Sequence, residues 1–166
     1  MKTISRMFRH LLATNHSTKK RFPTVTLKKI EEYIAASEIH HNGQIRFIVE
    51  TALSPLALYQ GISVKERALE IFSVFRVWDT ANNNGVLIYL LMADHAFEII
   101  ADRNIHERAG QNYWDKVSHE MSILLQNNQF EEGVLFGIER ITSVLKEHFP
   151  ESVITPNELP DQPLII

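Results

Sequence analysis

The feature that most constrains this chain is an unbroken apolar run, VLIYLLMA at residues 86–93, followed closely by a second, FEIIA at 97–101. A bilayer-crossing helix needs about 20 apolar residues, so a run of eight is a strand rather than a membrane span. A strand apolar at every position must be covered on both faces. The connection Ala93-Asp94-His95 is too short for anything but a hairpin, so the two runs pair antiparallel at the centre of a sheet. Asp102-Arg103-Asn104 closes the second strand.

Elements on either side supply that cover. Leu27, Ile30, Tyr33 and Ile34 share one face of a helix over 26–39, which Gly43 stops. QIRFIVE at 44–50 alternates apolar and polar residues, which predicts a strand with one wet face or an edge-like position. A loop over 51–62 follows, and Ser63 with Glu66 makes a capping box that opens another helix. Strand, crossover helix and strand imply a parallel pair. Two further helices are expected over 109–127 and 130–148, with Gly133 and Gly137 giving the last one a smooth patch for close packing. The result is an α/β chain: a three-layer αβα sandwich with a small mixed sheet, a central hairpin and helices on both faces.

Charge divides the chain. Residues 1–30 hold eight Lys/Arg and no acid, whereas residues 31–166 hold nine against twenty acids. An acidic body argues against nucleic-acid binding. Ile4, Met7, Phe8, Leu11 and Leu12 recur at helical spacing among Arg6, Arg9 and His10, so residues 1–22 form a basic amphipathic arm ending in a polar linker at 14–23. The arm fits either an anionic membrane surface, an acidic partner, or its own acidic domain. Residues 23–150 form the domain. Residues 151–166, with three prolines, form an extended tail whose apolar end lies on the surface. The absence of cysteine excludes disulfides, thiol catalysis and thiolate zinc. No signal peptide is visible, so the expected location is the cytoplasm, with the arm as a peripheral contact to the inner membrane.

The topology gathers distant residues. The start of the first hairpin strand, the end of the second and the loop before them share one crest with His41, Asn42, Asp79, Asn83, Asn84, Asp102 and His106. Carboxylate and amide oxygens suit calcium or magnesium, and imidazoles shift the preference toward zinc. The candidate metal ligands are Asp79, Asn84, Asp102 and His106. The competing reading is that Asp79 and Asp102 cap turns and helix starts. No organic cofactor is indicated.

The helix before Gly43-Gln44-Ile45, the Trp78-Asp79-Thr80 loop with Asn84-Gly85-Val86-Leu87, Asp102-Arg103, and the Phe130, Gly133 and Phe149-Pro150 punctuation together resemble the TPM domain. The tail Asn157-Glu158-Leu159-Pro160-Asp161 resembles a compact bacterial branch of that family. The resemblance implies the αβα sandwich. It also implies calcium binding or acid phosphatase activity, which are attributed to some plant members, and an envelope-linked protein partner such as a LemA-type membrane protein. Three departures stand out: Gln44 replaces the usual Glu, Asn104 replaces a turn glycine, and His106 replaces a carboxylate.

Catalytic residues are not assigned by the sequence. No Asp-x-Asp pair occurs, Arg9-His10 lacks a following glycine, and His119-Glu120 lacks a second histidine. A metal-dependent phosphatase would use Asp79 and Asp102, with Arg103 on the phosphate. The favoured expectation is a metal-binding interaction or regulatory module linked to the envelope, and the alternative is a weak metal-dependent acid phosphatase.

Overall fold

The computed structural model describes residues 2–150 and 157–166. Helices α1 (Lys2–Leu12), α2 (Asn15–Arg21) and α3 (Thr24–Glu38) lead into strand β1 (Gln44–Glu50). Helices α4 (Pro55–Tyr59) and α5 (Val64–Val74) cross over to β2 (Gly85–Leu91). A single 3-10 turn at Met92–Asp94 connects β2 to β3 (Ala96–Ala101). Helices α6 (Arg103–Ala109), α7 (Gln111–Gln126) and α8 (Phe130–His148) follow, and β4 (Leu164–Ile165) ends the chain.

The sheet order is β3-β2-β1-β4. β1 runs parallel to β2, with Gln44 opposite Gly85, and β3 returns antiparallel, with Val86 opposite Ala101. The expected mixed sheet and hairpin are therefore present, with β2 central and β3 at an edge.

Side-chain alternation along β2 divides the core in two. Val86, Ile88 and Leu90 join the cluster under α3, α7 and α8, while Leu87, Tyr89 and Leu91 join the cluster under α4 and α5. Gly137 lets α8 approach α7 and the sheet, since a Cβ there would meet the Met121 side chain at 2.5 Å. The crossover helix starts with the capping box anticipated at Ser63 and Glu66.

β1 corrects the expectation of a wet face. All seven of its residues are buried, and it lies inside the sheet rather than at its edge. Its polar side chains are covered because the end of the chain folds over them. Gln44 Oε1 accepts hydrogen bonds from the Glu158 and Leu159 amides at 2.9 and 2.8 Å. Arg46 Nη1 donates to the carbonyls of Pro160 and Gln162. The same segment then becomes β4, parallel to β1, with Leu164 opposite Ile48. The tail end is thus a strand of the sheet and not a surface strip. Residues 151–156 of the tail lie outside the described residues.

The polar stretch at 14–23 is helical rather than a linker. Thr14 caps α2 by accepting from the Ser17 amide, and Thr18 and Phe22 turn inward to full burial. The loop expected over 51–62 contains α4; Ser54 caps it and Pro55 occupies its first turn, both favourable to a short helix.

Candidate functional site

The crest at the start of β2 is built by three close approaches. Gly85 lies so near the preceding loop that a Cβ would fall 2.0 Å from the Val77 carbonyl oxygen. The left-handed residue of the turn is Asn83, at φ 49°, and not Gly85 as an Asn-Gly pair leads one to expect. Asp102 donates its amide to the Gly85 carbonyl at 2.9 Å, carrying the ladder one step past β3.

The four candidate ligands do different things. Asp79 is partly exposed and paired with Arg76 one turn earlier. Asn84 is fully buried; its Nδ2 donates to the Asn42 carbonyl at 3.1 Å, and its amide donates to Thr80 Oγ1. It braces the β1 and β2 starts, and its Oδ1 is buried without a hydrogen-bond partner. Asp102 caps α6 through Oδ1, which accepts from the Arg103 amide at 2.7 Å, while Oδ2 is buried and unpartnered. His106, one turn into α6, faces a different groove, a trough beside β3 shared with Glu98, Trp114 and Asp115.

The cleft at the crest, about 460 Å³, is lined by Trp78, Asn83, Asp102, Arg103, Asn104 and Glu107. Asp102 is the one candidate ligand that lines it. Glu107 is the acid that sequence reasoning missed, because residues 102–104 read as a closing turn instead of the cap and first residues of a helix. The signal was available: an Asp cap followed by Arg-Asn-Ile-His-Glu opens a helix, placing residues 104 and 107 on one face. Asn104 is an ordinary helical residue that donates to the Asn82 carbonyl at 2.8 Å, so no left-handed turn is needed there.

His41 is buried beneath the crest. Its Nδ1 lies 3.1 Å from the Gly43 carbonyl, so Nδ1 carries the proton. Burial lowers its pKa to about 4, against the opposing hydrogen bond to Gly43. Among the described residues, no three His, Asp or Glu side chains form a ready-made metal cage. A bound cation would therefore complete its shell from amide oxygens, main-chain carbonyls and water. Hard oxygen donors at the cleft, with His106 turned away and His41 buried, fit calcium or magnesium better than zinc.

A mixed four-stranded sheet covered by helices, with a polar crest at the β2 start, defines a small α/β domain. The TPM domain family profile matches residues 19–144, and the chain belongs to that family. Among solved structures, it is similar to the NMR structure of the BA42 protein from the psychrophilic bacterium Bizionia argentinensis. The two share 27% identity with a TM-score of 0.75, over 84% of this chain and 92% of that one. A comparison with curated proteins finds no match. No described helix is long and apolar enough to cross a membrane.

Proposed function

We propose that this chain is a binding module that takes a divalent cation weakly at the crest cleft, with Asp102 as the anchoring ligand and Glu107 as the second carboxylate. The observation that carries the reading is Asp102 Oδ2, a carboxylate oxygen without a hydrogen-bond partner in a residue that lines the cleft. A buried, unpaired carboxylate oxygen is costly, and a cation would offset that cost. Arg103 and the Arg76–Asp79 pair keep the local charge moderate, which favours a weak and exchangeable site over a tight structural one.

The module reading is preferred to hydrolysis because Asp79, the second acid a phosphatase would need, is held by Arg76. A titration of calcium, magnesium and zinc followed by backbone amide shifts tests the site. Calcium or magnesium should move residues 102–107 together with 78–83, and Asp102→Asn should abolish the response. Silence in both segments for all three ions would remove the proposal. A phosphomonoester assay under the same conditions separates the two functions. Turnover lost in Asp102→Asn and Arg103→Ala, with the fold intact, would make the crest a phosphatase centre.

A further inference from the structure

Helix α1 is mounted the wrong way round for a helix that merely packs on its own domain. An amphipathic surface helix normally buries its apolar stripe and wets its charges. Here the basic face points inward. Arg6 Nε and Nη2 lie 2.8 and 2.7 Å from Asp94 Oδ2, Arg9 Nη2 lies 3.1 Å from Oδ1, and Arg6 Nη1 donates to the Ile62 carbonyl at 2.8 Å. His10 is buried, and its Nδ1 accepts from the Leu53 amide at 2.9 Å. Its Nε2, the nitrogen that carries the proton because Nδ1 accepts, sits 3.1 Å from Asp94 Oδ1.

The consequence is an apolar stripe turned outward. Ile4, Phe8, Leu11 and Leu12 are 64%, 61%, 63% and 78% exposed, at the i, i+4, i+7 and i+8 positions of one helix face. α4, which packs beside α1, adds Leu56 at 64% and Tyr59 at 83%. Large apolar side chains grouped in this way mark an interaction surface.

We propose that this outer face of α1, with Leu56 and Tyr59, seats on an anionic membrane surface. Two observations select lipid as the occupant. First, the segment carrying the stripe has no acid in its first 30 residues, while the rest of the chain is strongly acidic. Second, Arg9 is half-exposed, and Lys19 and Lys20 of the following helix α2 are exposed. Cations of this kind attract anionic headgroups. Shallow insertion of a few apolar side chains beside basic residues suits a face of this kind. The Asp94 clamp is the positioning device: it holds the helix so that the stripe, and not the charges, leads. The inference does not depend on the cation reading of the crest.

The test is co-sedimentation of the full chain with phosphatidylglycerol vesicles and with phosphatidylcholine vesicles, in chelator, so that no divalent ion bridges protein and lipid. The chain should pellet with phosphatidylglycerol, and raised salt should weaken the binding. Phe8→Glu with Leu12→Glu, both at exposed positions, should weaken it at least about tenfold, because two apolar side chains of the stripe can no longer insert. Lys19→Glu with Lys20→Glu should weaken it without altering the apolar face. Equal pelleting of wild type and Phe8→Glu/Leu12→Glu overturns the proposal. So does a failure of the wild type to pellet, or a concentration-dependent dimer abolished by the same two changes, which would make a second copy the occupant.

Discussion

The Arg67 guanidinium meets the Glu50 carboxylate in a bidentate pair, Nε to Oε2 at 2.8 Å and Nη2 to Oε1 at 2.9 Å, fastening the crossover helix α5 to the end of β1. Tyr89 donates its hydroxyl to the same carboxylate at 2.6 Å, so β1, β2 and α5 meet at one buried acid. Burial, and then the hydrogen bond to Glu50, hold the Tyr89 hydroxyl far above its ordinary pKa. Removing one partner of such a pair leaves the others uncompensated. Glu50→Ala should cost about 3 kcal/mol, the low end for a buried pair because Arg67 reaches solvent. Denaturant unfolding measures it, and Glu50→Gln should recover part of the loss by keeping an acceptor for Tyr89.

Gly85 tests how the crest is built. Gly85→Ala forces a Cβ against the Val77 main chain, where no flexible side chain can yield. The expected loss is about 3 kcal/mol, with displaced amide signals over residues 77–85 and 102–104. Gly61→Ala is a useful contrast: no atom lies within 4 Å of its Cβ position, so its cost comes only from the left-handed φ of 72°.

Glu38 predicts a loss of stability between about pH 4.5 and about pH 8. Burial pushes its carboxyl up to about 8, against the hydrogen bond from the Ile45 amide, and the neighbouring Asp161 pushes it further. A carboxyl whose folded pKa is raised contributes its stability in the protonated form, present below about 4.5 and lost as the pH rises through about 8. Thermal midpoints of the wild type should fall over that interval. Glu38→Gln, which can still accept from Ile45, should flatten this part of the profile.

Asp94 predicts the opposite slope at the acid end. Burial alone would raise its pKa, but the hydrogen bonds and charge of Arg6, with the His10 imidazole beside it, outweigh that and leave it below the ordinary value. A carboxyl with a lowered folded pKa stabilises above its unfolded value near 3.8, and the contribution is lost as the pH falls through the folded value. α1 should therefore undock in acid before the domain unfolds, seen as lost amide-exchange protection confined to Lys2–Leu12. Asp94→Asn should weaken the docking at neutral pH by about 2 kcal/mol, the scale of a charged hydrogen bond.

Much of the layout was legible because it depends on local pattern. The apolar run at β2 required cover on both faces, and the limits of α8 followed from its stripe and from Phe149-Pro150. The capping box at Ser63 and Glu66 opened α5 as its chemistry requires. The crest residues Asn83 and Asp102 were brought together by hairpin register alone, a property of chain order.

What local pattern could not reveal was where a distant segment would settle. Gln44, Arg46 and Glu50 read as a wet face because polar side chains usually meet water. Here Arg67 and the main chain of residues 158–162 replace that water with fixed partners. α1 read as a basic amphipathic helix, but periodicity cannot say which face is docked. That was decided by Asp94, a single acid 88 residues from Arg6 whose carboxylate draws the basic face inward. The sequence by itself determined the main strands and long helices and their order, since hydrophobic period and capping act within a few residues. Tertiary structure decided which polar groups are satisfied and which apolar ones are left outside, because hydrogen bonds and ion pairs depend on distances that only the folded chain sets.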